Sequence, residues 1–95
     1  MIDVKPVIDN ATAHRLEIAD GGAIAFLTYR MKDGAVEYLH SETPPELRGR
    51  GLAGALAKFA LDRDKAAGRK VIPTCPFVKT YIDRHPEYAA LVVAG

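Results

Sequence analysis

Cysteine and net charge are both scarce in this sequence. A single cysteine, Cys75, excludes an intramolecular disulfide and a cysteine-rich zinc site, and no metal centre is expected. Thirteen basic and twelve acidic residues leave a formal net charge of +1. Because nucleic-acid binding draws most of its affinity from basic residues on phosphates, no nucleic-acid partner is expected.

Long apolar runs are also missing. No segment approaches the length needed to span a bilayer, and the chain reaches Lys5-Pro6 before any apolar run forms. We therefore expect neither a membrane partner nor a signal peptide. A reducing compartment is expected, which means the cytoplasm in a bacterial source. Ninety-five residues suffice for one small domain, which we place at residues 1–95.

Short strand-like runs separated by turn signals occupy the first half of the chain. Turns containing Asp-Gly at residues 20–22 and 32–34 join three of these runs, which predicts an antiparallel meander. Pro6 would confine the first strand to an edge or a bulge. The predicted strands cover residues 2–8, 15–19, 23–31 and 36–41.

The second half changes to helical spacing, with a long helix over residues 52–67 that ends at Gly68. A strand over 70–74, a short helix over 77–84 and an apolar packing tail over 88–93 follow. Because a strand, a long helix and a strand make a crossover unit, the two flanking strands should be parallel neighbours. The predicted fold class is α+β, with a mostly antiparallel sheet. The apolar stripe of the long helix is predicted to hold Leu52, Leu56, Phe59, Ala60 and Ala67.

The start of the long helix lacks an N-terminal cap. Ser, Thr, Asp and Asn, which normally accept the first N–H groups of a helix, are absent from residues 44–61. Gly49, Gly51 and Gly54 stand there instead, with Arg48 and Arg50 at the unfavourable end of the helix dipole. A bound anion would accept the N–H bonds and neutralise the arginines. The alternative is a flexible glycine-rich turn with two solvated arginines.

This stretch resembles the GNAT superfamily of N-acetyltransferases. Arg48-x-x-Gly51-x-Ala53 is similar to the pyrophosphate signature of that superfamily, Arg/Gln-x-x-Gly-x-Gly/Ala, placed between a strand and a helix. The wider resemblance, over about residues 13 to 92, is to small single-domain proteins of the short, YidJ-like type. It is carried by His40-Ser41-Glu42, residues 45–51, Pro73-Thr74-Cys75-Pro76-Phe77-Val78, Tyr81-Ile82 and His85-Pro86-Glu87-Tyr88.

The resemblance implies a truncated acetyltransferase fold whose fourth and fifth strands run parallel and splay apart. Acetyl-coenzyme A would be the cosubstrate, with its pantetheine arm in the splay. Full-length relatives carry N-terminal helices that shape the acceptor site, and such helices are expected to be missing here. The pyrophosphate would rest on Arg48, Gly49, Arg50, Gly51, Leu52, Ala53 and Gly54.

Three residues are candidates for the chemistry of acetyl transfer: Cys75, His40 and Glu42. Cys75 precedes a short helix, whose dipole favours a thiolate that could accept an acetyl group; the alternative is an inert, buried cysteine. His40 and Glu42 share a strand face, and either could take the proton of an amine. His40 could also pair with the Cys75 thiolate. The alternatives are a histidine bonded to a backbone carbonyl and a solvated glutamate.

Three other side chains carry weaker signals. The Tyr81 hydroxyl could protonate the leaving thiolate of coenzyme A, or Tyr81 could be a core aromatic with a wet tip. His85, just before a proline, is predicted to cap a helix end, and His14 is predicted to lie on the surface.

Two functions from different classes remain open. The first is an acetyl-coenzyme A-binding N-acetyltransferase whose amine acceptor, a small molecule or a protein, is unidentified. The second is a coenzyme A-binding or protein-interaction module without turnover. Thiol-redox chemistry at Cys75 has little support, because the chain has no resolving cysteine.

Overall fold

The meander predicted for the first half of the chain is present in the computed structural model, which describes residues 6–94. Strands pair antiparallel in chain order, and Gly21, Gly22 and Gly34 occupy left-handed turn conformations between them. Side chains alternate between the two faces of β2, and the buried Leu16 and Ile18 fix which face packs against the core. The strands are β1 (Ile8–Asn10), β2 (Arg15–Asp20), β3 (Ala23–Lys32) and β4 (Ala35–Glu42).

The second half supplies the crossover. Strand β5 pairs parallel to β4 through Val36↔Val71, Glu37↔Ile72 and Tyr38↔Pro73, so the predicted parallel neighbours are confirmed. The sheet order is β1-β2-β3-β4-β5, and the α+β fold class is confirmed. The elements are a 3₁₀ turn (Pro45–Leu47), α1 (Leu52–Ala67), β5 (Val71–Pro73), α2 (Pro76–Arg84) and a second 3₁₀ turn (Pro86–Leu91).

One face of the sheet holds the hydrophobic core, and both helices pack there. The opposite face carries no helix within residues 6–94. The C-terminal segment packs as predicted, since Tyr88 and Leu91 are buried and the Val93 N–H donates to the Val71 carbonyl at 2.9 Å. None of the helices in this part of the chain is long and apolar enough to cross a membrane.

Two expectations need correction. The predicted apolar stripe of α1 was partly wrong, because Phe59 is 38 % exposed and Ala67 lies on the surface. The buried face of the helix instead consists of Leu56, Ala57, Ala60, Leu61 and Asp64. The first strand begins at Ile8, and Pro6, which has no N–H to donate to a strand ladder, precedes it. The remainder of the predicted strand at 2–8 falls mainly on residues 1–5, which lie outside the described residues.

Candidate functional site

The start of α1 is uncapped, as predicted from the sequence. Its N-cap is Gly51, with φ 72° and ψ 19°, and no side chain within residues 6–94 accepts its N–H groups. The first intrahelical hydrogen bond runs from the Ala55 N–H to the Gly51 carbonyl at 3.0 Å. The N–H groups of Leu52, Ala53 and Gly54 come before that bond, so they are free to meet a ligand.

The same three residues line a cleft of about 240 Å³. Sequence reasoning missed Thr43, Leu47 and Phe77 among its walls. Phe77 comes from the first turn of α2 and is 40 % exposed, and this exposure depends on how α2 packs, which the sequence alone does not show. The lining includes every predicted cofactor-binding residue except Arg50: Arg48, Gly49, Gly51, Leu52, Ala53 and Gly54, together with Thr43, Leu47 and Phe77.

The backbone of the cleft fits an anion. Gly49 and Gly51 both have positive φ, 80° and 72°, and no atom lies within 4 Å of the place where a Cβ would stand on either glycine. A phosphate can therefore approach the main chain closely. The two arginines differ: the Arg48 Nε donates to the Thr43 carbonyl at 3.3 Å, whereas Arg50 Nη1 lies 3.0 Å from Asp20 Oδ2.

Strands β4 and β5 separate beside the cleft. Their pairing ends at Tyr38↔Pro73, and the Cys75 N–H closes the vertex by donating to the Tyr38 carbonyl at 2.7 Å. Strand β4 then continues to Glu42, whereas the chain after Cys75 turns into α2. The splay that the resemblance implied is thus present in the fold.

A β-bulge lies at the same point of β4. Tyr29 pairs with Tyr38 and Thr28 with His40, so Leu39 is left without a register partner in β3. The extra residue shifts the alternation of side chains along the strand. Tyr38 and Ser41, rather than Tyr38 and His40, therefore share the core face.

The bulge keeps the predicted Cys75–His40 pair apart. Cys75 is 2 % exposed, and its Sγ lies 3.6 Å from the Ser41 Oγ on the core face. The side chain of His40, the neighbour of Ser41, is 64 % exposed on the opposite face. His40 and Glu42 do share that open face, with His40 Nε2 3.6 Å from Glu42 Oε2.

The other sequence candidates occupy two places: Tyr81 and His85 lie together at the end of α2, and His14 lies elsewhere. Tyr81 stacks on His85 with ring centroids 4.0 Å apart, and burial raises the pKa of Tyr81. His85 ends α2, where its Nδ1 lies 2.8 Å from the Tyr81 carbonyl oxygen, in keeping with the predicted capping role. His14 is exposed, as predicted.

A buried polar pair that sequence reasoning missed ties α1 to the vertex of the splay. The Tyr38 hydroxyl donates to the Asp64 carboxylate, and both residues are 0 % exposed. Burial raises the pKa of Asp64 even though the Tyr38 hydrogen bond and the charges of Arg69 and Arg63 oppose the rise. An aspartate on the apolar stripe of α1 was the sequence signal for this pair.

A splayed mixed sheet, with an uncapped glycine-rich helix start beside the splay, defines a protein of the acetyltransferase fold. Residues 14–91 match the family described as GCN5-related N-acetyltransferase, and the chain belongs to this family. A GCN5-like protein of Staphylococcus aureus, solved by NMR, shares the fold: the TM-score is 0.72 over 95 % of this chain and 89 % of that one, with 22 % identity.

Curated relatives match over a shorter stretch. The protein NATD1 of Gallus gallus and that of Mus musculus are each 39 % identical to this chain over 51 residues, which is 54 % of this chain and 46 % of theirs. NATD1 of Homo sapiens is 39 % identical over the same length, 45 % of its own chain. The match thus spans about half the length of these relatives.

Proposed function

We propose that the chain binds acetyl-coenzyme A at the start of α1 and transfers its acetyl group to an amine. The observation that carries the proposal is the cleft at this helix end, where uncapped N–H groups and two glycines with positive φ lie together. A pyrophosphate satisfies such donors, and proteins of this family use acetyl-coenzyme A. We further propose that residues 1–95 act as one domain of the short, YidJ-like type in the cytoplasm.

The residues around the cleft would divide the work of holding this cosubstrate. The N–H groups of Leu52, Ala53 and Gly54 would bind the pyrophosphate, and the Arg48 guanidinium would add a charge-assisted contact. The apolar surface of Phe77 suits the aliphatic part of the pantetheine arm. Bound in this way, acetyl-coenzyme A supplies an acetyl group activated as a thioester.

His40 and Glu42 are the proposed proton acceptors. An ammonium group must lose a proton before it can attack, and both side chains stand open to solvent on one face of β4, beyond the vertex of the splay. His40 Nε2 lies 3.6 Å from Glu42 Oε2, so both proposed acceptors lie within reach of one amine.

Cys75 has a lesser part in the proposed reaction. Its thiol is buried beside Ser41 on the face away from His40, so it lacks the histidine partner that would activate it. We therefore favour direct transfer to the amine, with Cys75 lining the splay. The rival route would place the acetyl group on Cys75 first.

The experiment is to incubate the protein with acetyl-coenzyme A and a panel of primary amines and lysine-containing peptides, with products detected by mass spectrometry. We expect an acetylated amine, and we expect the Cys75→Ala variant to retain most of the turnover. His40→Ala and Glu42→Gln should lower turnover, whereas His14→Ala, which removes an exposed histidine elsewhere, should not.

Three outcomes would contradict parts of this proposal. A single acetyl group on Cys75 that hydroxylamine removes and Cys75→Ala abolishes would establish the covalent route. Binding of coenzyme A with no acetylated product would favour the non-catalytic module. Absence of any coenzyme A binding would refute the proposed cosubstrate site.

A further inference from the structure

The glycine-rich loop before α1 is joined to a turn thirty residues earlier in the chain. Arg50 Nη1 lies 3.0 Å from Asp20 Oδ2, and the side chain of Asp20 is 21 % exposed. Asp20 ends β2 on the same face as the buried Leu16 and Ile18, at the start of the Asp-Gly-Gly turn. From this position its carboxylate reaches the loop before α1, where Arg50 is its ion-pair partner.

The loop needs such an anchor. Gly49 and Gly51 leave its backbone with wide conformational freedom, and a loop that must order itself on binding loses affinity. At the start of the loop the Arg48 Nε donates to the Thr43 carbonyl at 3.3 Å. Two residues later the Arg50–Asp20 ion pair ties the loop to the end of β2.

Arg50 is also set apart from its neighbours by where it lies. Arg48, Gly49 and Gly51 all line the cleft, and Arg50 does not. Its charge is already matched by a carboxylate, whereas the Arg48 guanidinium donates to the backbone carbonyl of Thr43 and has no carboxylate partner within residues 6–94.

We infer that Asp20 and Arg50 are positioning residues that hold the loop in the shape that binds the pyrophosphate of coenzyme A, and that Arg48 and the helix N–H groups make the phosphate contacts. The inference rests on the proposed function. An exposed ion pair contributes little, so its loss should lower the affinity for coenzyme A only about threefold.

The test is a double-variant cycle with coenzyme A as the titrant in calorimetry, at low and at high ionic strength. Asp20→Asn and Arg50→Gln should each lower the affinity about threefold, and the double variant should bind no more weakly than either single one. The two substitutions change the net charge in opposite directions. An equal fall in both therefore reflects the shape of the loop rather than its charge.

Two matched variants complete the design. Glu46→Gln removes an exposed carboxylate just before the loop, so it changes the net charge as Asp20→Asn does, and it should not weaken binding. Arg48→Gln should flatten the dependence of affinity on ionic strength, because it removes a phosphate contact, whereas Arg50→Gln should flatten that dependence clearly less.

The inference is overturned if Asp20→Asn leaves the affinity unchanged or tightens it, or if the effects of the two single substitutions add. It is also overturned if Arg50→Gln flattens the ionic-strength dependence as Arg48→Gln does, since Arg50 would then contact the phosphate itself. A parent protein that binds no coenzyme A would overturn the proposed function as well. A parent that binds, with Asp20→Asn unaffected, would overturn only this inference.

Discussion

The two ends of α1 use the same backbone conformation and reach opposite results. Gly51 begins the helix with φ 72°, and Gly68 ends it with φ 68°. At the C-terminal end the protein satisfies its own groups, because the N–H groups of Gly68 and Arg69 donate to the carbonyls of Lys65 and Asp64. At the N-terminal end the N–H groups have no side-chain cap within residues 6–94 and face a cleft.

The two ends show which feature of a glycine-bounded helix indicates a ligand. A glycine in the left-handed conformation does not by itself indicate a ligand. Gly68 has this conformation because it caps the C-terminus of α1, where its N–H donates to a carbonyl of the same helix. The ligand is indicated by donors that the fold leaves open beside a cavity, together with positive charge where the helix dipole disfavours it.

The largest effect is expected from leucine at the two glycine positions. Gly51→Leu and Gly68→Leu should each destabilise the free protein by about 1–2 kcal/mol, because both place a side chain in the left-handed region. Only Gly51→Leu should weaken the affinity for coenzyme A, by roughly a hundredfold. This factor corresponds to the loss of two charge-assisted hydrogen bonds. Calorimetry measures the affinity and chemical unfolding measures the stability. An equal loss of affinity in both variants would show that the N-terminal end of α1 is not the binding site.

The next effect concerns the buried pair of Tyr38 and Asp64, near the C-terminal end of α1. Tyr38→Phe removes the hydroxyl that donates to Asp64 and leaves a buried carboxylate without that donor. We expect a loss of about 2 kcal/mol, or roughly 10 °C in Tm for a domain of this size. Tyr29→Phe, which removes an exposed hydrogen bond to Asp9, is the matched control and should cost clearly less. Similar melting temperatures for the two variants would contradict the importance of burial.

A smaller effect is expected from single charges at the two ends. Arg48→Gln should weaken coenzyme A binding about tenfold through one lost charge-assisted contact, and it should leave the free protein slightly more stable. Lys65→Gln removes a cation from the last turn of α1, where it complements the helix dipole. It should lower stability slightly and leave binding alone. The opposite pattern of stability changes would rule out the dipole argument.

The smallest effect is a dependence on pH. Burial raises the pKa of Asp64 in the folded state above the value of about 3.9 expected in the unfolded chain. The folded protein then binds the proton more tightly, so this residue contributes stability below about pH 4 that is lost as the pH rises through the folded pKa. In the Asp64→Asn variant, the free energy of unfolding measured with urea should no longer show this fall between pH 4 and 7.

The control for the pH experiment is Asp83→Asn, which changes an exposed aspartate on α2. It should reproduce the pH dependence of the parent. A parent and an Asp64→Asn variant with the same slope of stability against pH would show that Asp64 does not titrate in this window.

Much of the fold and the uncapped, glycine-rich start of α1 could be predicted because the signals are local. The uncapped start of α1 follows from which residues are absent before it, and the helix bounds follow from Gly51 and Gly68. The separation of Cys75 from His40 could not be predicted, because the bulge at Leu39 depends on how β3 pairs with β4. The Arg50–Asp20 contact depends on a turn thirty residues away, which local spacing does not show.

One measurement tests the contrast between the two helix ends most directly: titration of the ¹⁵N-labelled protein with coenzyme A, followed by the amide signals of α1. We predict shifts at Leu52, Ala53 and Gly54, whose N–H groups border the cleft, and unchanged signals at Gly68 and Arg69, whose N–H groups are already bonded within the chain. Saturating coenzyme A that leaves the first three signals unmoved, or that shifts both ends alike, would contradict the account.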